Sequence, residues 1–164
     1  MTASLERLWA GWRSAYVAGA TSADDGEEGC VMCRVLRADR FVVYRGAHCA
    51  AVLNAYPYAA GHLLVVPARH LAELEDLDAD EGAELWGTVG TAVRALKLAY
   101  RPQGINLGAN LGRAAGAGVP GHLHVHVVPR WVGDTNFMTA VAEVRVLPES
   151  LPTSYDKLRA VWPA

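Results

Sequence analysis

Three histidines alternate with apolar residues in His122-Leu123-His124-Val125-His126, and Val127-Val128-Pro129 follows directly. Alternate side chains of a β-strand share a face. The spacing therefore sets three imidazoles on one face and Leu123, Val125 and Val127 on the other. Imidazole titrates near neutral pH and serves as nucleophile, proton carrier or metal ligand. Each ring brings two nitrogens that need partners, so three in a row is a costly way to fill a half-buried face. Two chemistries fit the pattern: a metal held from alternate strand positions, or nucleophilic and acid–base work on a phosphate. The segment Gly112 to Gly121 just upstream is rich in Gly and Ala. Small residues there let backbone N–H groups come close to a phosphate.

A second constellation is Cys30-Val-Met-Cys33. It reads as a redox pair, as two unrelated cysteines, or as half of a structural zinc site. No βαβ pattern surrounds it, which weakens the redox reading. Zinc takes four nitrogen or sulfur ligands, so two histidines are needed from His48, His62, His70 and His122. The third cysteine, Cys49, sits beside His48 in an apolar run, and both read as bystanders.

These residues must be carried by regular elements. Phe41 to Arg45, His48 to Asn54 and His62 to Val66 are β-branched runs joined by short turns, which suggests an antiparallel meander. Asp78 to Tyr100 is the clearest helix. Asp78 and Glu81 make a capping-box start, Leu85, Trp86, Val89, Val93 and Leu96 form a stripe, and Arg101-Pro102 ends it. Gly104 to Asn110 reads as another strand, and His122 to Val128 as the last core strand, stopped by Pro129. Leu5, Leu8, Trp9, Trp12 and Tyr16 predict an amphipathic helix over about 4–18. Thr21 to Gly29 reads as a loop, Val141 to Leu147 as a short apolar run, and Pro152 to Val161 as a helix. The pattern is α+β with a largely antiparallel sheet.

The 164 residues fit one domain, 1–164, with a core of about 30–131 and a C-terminal extension of 134–164. A net charge of −2 with no like-charge block gives no general nucleic-acid surface. No apolar run approaches the ~20 residues of a membrane span. An odd cysteine count without a signal-like segment points to the cytoplasm.

The run His122 to Val128 resembles the signature of the histidine triad superfamily of nucleotide hydrolases and transferases. Asn54 to Pro67 resembles the strand pair that precedes it, and Gly104 to Gly112 the family's asparagine-bearing strand. Leu53 to Tyr58, Glu73 to Leu77 and His122 to Trp131 further resemble the actinobacterial diadenosine-polyphosphate phosphorylase branch. The resemblance implies a sheet of about five antiparallel strands with a long helix packed on it, and terminal helices. It implies His124 as nucleophile, His126 on the same phosphate, and His62 in support. It places Asn54 at the ribose hydroxyls, with Asn110, Arg113 and Gly116-Ala117-Gly118 holding phosphates. It implies a structural Zn²⁺ on Cys30, Cys33, His70 and His122, and a homodimer. The substrate would be a dinucleoside polyphosphate, nucleoside phosphoramidate or adenylate. The loop Arg113 to Gly121 departs from the family in carrying no hydroxyl. Two alternatives stay open: a zinc-stabilised nucleotide-binding protein with little catalysis, or a specialised pathway transferase or lyase.

Overall fold

The computed structural model describes residues 26–134 and 147–163. The helix expected over 4–18 and nearly all of the run Val141 to Leu147 lie outside them. The described elements run α1 (Gly26–Gly29), α2 (Val31–Ala38), β1 (Val42–Arg45), β2 (Cys49–Leu53), β3 (Leu63–Pro67), α3 (Ala79–Tyr100), β4 (Gly104–Gly108), β5 (Val125–Arg130) and α4 (Leu151–Val161). The strands form one sheet in the order β1-β2-β3-β5-β4. Every pairing is antiparallel. The meander β1-β2-β3 is the expected one, and β5 enters between β3 and β4.

The alternation in the histidine run sorts the two faces of this sheet. Leu123, Val125 and Val127 join Val43, Leu53, Leu63 and Val65 beneath Leu85, Val89, Ala92 and Leu96 of α3 and Leu158 of α4. On the opposite face α2 lays Met32, Cys33 and Leu36 over Val42, Ala50, Val52, Leu64 and Val66. His126 pairs in register with Leu64 and so belongs to that second face.

Asp78 caps α3 as its spacing predicts. Its carboxylate accepts from the Glu81 amide at 2.8 Å, and Glu81 Oε2 accepts from the Asp78 amide at 3.0 Å. Such a cap contributes about 1 kcal/mol. Glu81 also takes two hydrogen bonds from Arg69, at 2.8 and 2.7 Å. That pair ties the loop after β3 to the start of α3.

Three expectations change. Residues 26–29 and 31–38, read as a loop and left unassigned, are helical. Trp86, placed on the buried stripe of α3, is 54% exposed, and Ala92 takes the inward position instead. Pro129 does not stop the last strand, which continues to Arg130. The reason lies in the neighbours. β3 ceases to oppose β5 beyond Val127, so on that side no ladder acceptor faces the N–H that proline lacks.

Candidate active site and metal centre

Gly61 turns the chain into β3 and thereby sets His62. Its φ is +78°, and a Cβ there would lie 2.7 Å from the Tyr100 ring. Glycine alone meets both conditions without strain. His62 is fully buried, and its Nε2 lies 2.9 Å from Nδ1 of His126. The Tyr58 ring packs on both imidazoles, its centroid 4.7 Å from His62 and 5.8 Å from His126. His124 follows at 5.0 Å from His126. The structure thus brings His62, His124 and His126 into one group.

Backbone partners fix the tautomers. Nδ1 of His124 lies 2.8 Å from the carbonyl oxygen of His122. A carbonyl only accepts, so Nδ1 carries the hydrogen and Nε2 keeps its lone pair. The Tyr58 amide donates to His62 Nδ1 at 3.0 Å. His62 must then carry its hydrogen on Nε2 and donate it to His126 Nδ1. The remaining hydrogen of a neutral His126 sits on Nε2. Burial pushes the His124 imidazole below its ordinary value although the His122 carbonyl favours the cation. Burial, and then the neighbouring His124, push His126 down to about 4. At neutral pH the site offers one uncharged nitrogen nucleophile and one uncharged N–H donor.

His122 faces elsewhere. Its Nδ1 lies 3.3 Å from Cys30 Sγ and 3.4 Å from Cys33 Sγ, and His70 Nδ1 lies 3.5 Å from Cys33 Sγ. All four donor atoms fall within 4.8 Å of one another. Zinc–sulfur and zinc–nitrogen bonds of about 2.3 and 2.0 Å give tetrahedral S···N edges of about 3.5 Å. The donor set and its spacing therefore fit a zinc ion. His122 Nε2–H donates to the Pro67 carbonyl at 3.0 Å, which leaves Nδ1 as the ligating nitrogen. Burial, and then the Cys30 thiol, push Cys33 up to about 11. A bound cation reverses that, because ligating thiols are deprotonated. Leu123 N–H donates to Leu71 O at 2.7 Å. The loop that carries His70 is thus bonded on both flanks to the histidine segment. His48 stands outside the cluster. Its amide and that of Cys49 donate to Glu84.

The nucleotide-binding expectations are placed as follows. Asn54 follows β2 directly and lies beside His62, its Nδ2 3.3 Å from His62 Nδ1. Asn110 Nδ2 donates to Gly116 O at 3.4 Å and so staples the glycine loop. Arg113 is exposed in a 3₁₀ turn, Arg113–Ala115. The Gly116 amide donates to Arg113 O and the Ala117 amide to Gly112 O. Two amides expected at a phosphate thus close the loop on itself, and Gly118 follows them. Sequence reasoning missed the carbonyls of His122 and Pro67 and the amide of Tyr58. They are backbone atoms, and no residue type signals them.

Comparison with known proteins agrees with this geometry. A family model described as the HIT domain matches residues 36–132. An AP-4-A phosphorylase of Mycobacterium tuberculosis is 42% identical over 96% of this chain and 85% of its own. The asymmetrical bis(5′-nucleosyl)-tetraphosphatase of Schizosaccharomyces pombe is 36% identical over 57% of this chain and 50% of its own. A zinc-bound histidine triad family protein from Mycobacterium smegmatis superposes with a TM-score of 0.67 at 29% identity, covering 82% of this chain and 94% of that one. This chain belongs to the histidine triad (HIT) family.

Proposed function

We propose that the protein cleaves a nucleoside 5′-phosphate derivative, foremost a dinucleoside polyphosphate, through a nucleotidyl group carried on His124. The observation that carries this reading is the 2.8 Å contact between His124 Nδ1 and the His122 carbonyl, which leaves Nε2 free to attack. Nε2 bonds to phosphorus, and the bond from phosphorus to the leaving oxygen breaks. The leaving nucleotide departs as a stable phosphate anion. The imidazolium formed on His124 is held by the His122 carbonyl. His126 Nε2–H donates to a phosphoryl oxygen and offsets its developing charge. An oxygen of water or inorganic phosphate then bonds to phosphorus, the bond from Nε2 to phosphorus breaks, His124 returns to neutral, and any proton of the acceptor passes to solvent. Asn54 at the ribose and Arg113 and Gly118 near the phosphates complete the binding reading. His62 acts through His126.

The full set of histidines, and the AP-4-A phosphorylase and tetraphosphatase names of its relatives, favour this over binding without catalysis. The test is turnover of diadenosine tetraphosphate, with and without inorganic phosphate. His124→Ala should lower kcat by at least about 10³-fold, since loss of a nucleophile removes the covalent route. Full turnover by that variant would end the proposal.

We further propose that Cys30, Cys33, His70 and His122 hold a structural zinc ion. The site is closed, with no position for a reacting water. No helix among the described residues is long and apolar enough to cross a membrane, and we place the chain, as a single domain, in the cytoplasm. A homodimer is proposed on the edge strand β4. Among the described residues it pairs with β5 on one side only, and its own Leu107 is 51% exposed. An open edge of this kind suits pairing with a second copy about a two-fold axis.

A further inference from the structure

Asn54 stands at the position that the family resemblance gives to the ribose, yet its carboxamide is turned toward a histidine. Its Oδ1 accepts from the Tyr56 amide at 2.9 Å. An amide nitrogen of the backbone only donates, so this contact fixes which end of the carboxamide is oxygen. The other end, Nδ2, then faces His62 Nδ1 at 3.3 Å. That same nitrogen accepts from the Tyr58 amide at 3.0 Å. Two N–H donors therefore meet His62 Nδ1, and neither can take a proton from it.

The consequence runs along the side chains. A hydrogen on His62 Nδ1 would collide with both donors, so it resides on Nε2. Nε2 lies 2.9 Å from His126 Nδ1, which must accept. The hydrogen of His126 is left on Nε2. Were His62 to adopt the other tautomer, His126 would have to donate through Nδ1. Its Nε2 would then present a lone pair to a phosphate oxygen, and the contact would be repulsive.

We propose that Asn54, with the Tyr58 amide, is a positioning residue that locks the proton placement of the His62–His126 pair, so that His126 presents an N–H donor to the substrate phosphate. The proposal rests on the functional reading above and gives Asn54 a task beyond any ribose contact. The two tasks are compatible, because the carboxamide keeps a second hydrogen and a second lone pair. No proton is consumed: the pair holds two hydrogens before and after the nucleotidyl step.

The substitution that separates the tasks is Asn54→Asp. A carboxylate accepts from ribose hydroxyls as well as an amide does. Toward His62 it has no hydrogen to offer, and its charge draws one onto Nδ1, leaving the Tyr58 amide as the single donor that opposes it. The groups that face His62 are then the introduced carboxylate and Tyr58 from the β2–β3 turn, and His126 from β5 with His124 beyond it. When His62 is doubly protonated, at lower pH, Nε2–H still reaches His126. As pH rises the single remaining hydrogen stays on Nδ1 with the carboxylate, and His126 loses its outward N–H.

Two measurements decide the matter. In wild-type protein, ¹⁵N-imidazole spectra at neutral pH should show His62 protonated on Nε2 and bare on Nδ1. In Asn54→Asp, kcat for diadenosine tetraphosphate should fall about 10²-fold at pH 8, on the scale of a lost donor or acid. It should recover as pH is lowered, with KM within about threefold. A wild-type spectrum with the hydrogen on Nδ1 overturns the proposal, whether or not the variant folds. So does a variant whose KM rises while kcat and its pH profile stay unchanged, since a ribose contact alone would do that. A wild-type protein with no turnover at all would instead contradict the functional reading, and the spectrum would still decide the proton placement.

Discussion

His124 and His126 are two residues apart with rings 5.0 Å from each other, yet their hydrogens sit on different nitrogens. The difference comes from what each Nδ1 meets: a carbonyl oxygen for His124 and another histidine for His126. One ring is left with a lone pair on Nε2 and the other with a hydrogen there. Burial keeps both neutral. For His126 the folded value of about 4 lies below the unperturbed ~6.5 of an exposed imidazole. Between those values the unfolded chain binds more protons than the folded one, so stability rises with pH. The stabilising contribution is complete above about 6.5 and is lost as pH falls toward 4. Urea denaturation at pH 7 and pH 5 should show the loss, and His126→Gln should show a smaller pH dependence. An equal dependence in that variant would assign the effect to other groups.

At the scale of elements, the chemistry depends on how two turns are held. The loop after β3 carries His70 and is anchored by Arg69 on Glu81, whose carboxyl the guanidinium and the Asp78 amide hold down to about 2. Glu81→Gln should cost about 1 kcal/mol, because the buried carboxylate is lost to a guanidinium whose side chain is 52% exposed. Thermal melts should register a drop of roughly 2–4 °C per kcal/mol in a chain of this size. The turn before β3 depends on Gly61. Gly61→Ala adds a Cβ at a positive φ against Tyr100, should destabilise by more than about 1 kcal/mol, and should lower activity by displacing His62. The sequence announces these elements unevenly. The capping box and the period-two runs locate α3 and the strands within a few residues. Trp86 is misjudged because helical spacing marks which residues lie near a face but not where that face ends. The helix 31–38 goes unread because eight residues give too short a period, and its burial depends on the sheet beneath it. Pro129 misleads because its cost depends on whether a neighbouring strand needs its N–H.

For the molecule as a whole, the sheet has a core face under α3 and α4 and a second face where the cysteine–histidine cluster adjoins the histidines proposed for catalysis. The histidine run crosses from one group to the other, with His122 on the cysteines and His126 on His62. Its alternation was legible at once, and so was the CxxC. The choice of zinc partners among four histidines came from the family resemblance, since spacing in the chain says nothing about which loop folds back. Metal analysis should give about one zinc per chain, and a chelator strong enough to remove it should lower Tm. Cys33→Ser should abolish binding. A metal-free protein of undiminished stability would refute the zinc assignment. On the edge of the sheet, Leu107→Lys should shift a dimer toward monomer in light scattering, while a wild-type monomer would contradict the assembly.

The central claim is a covalent nucleotidyl-histidine, and rapid acid-free quenching of the enzyme with diadenosine tetraphosphate tests it most directly. Mass spectrometry of the digested protein should find one added adenylyl group, mapped to His124 and missing from His124→Ala. Turnover that proceeds with no adduct on any histidine, or with the adduct on His122 or His126, would contradict the account.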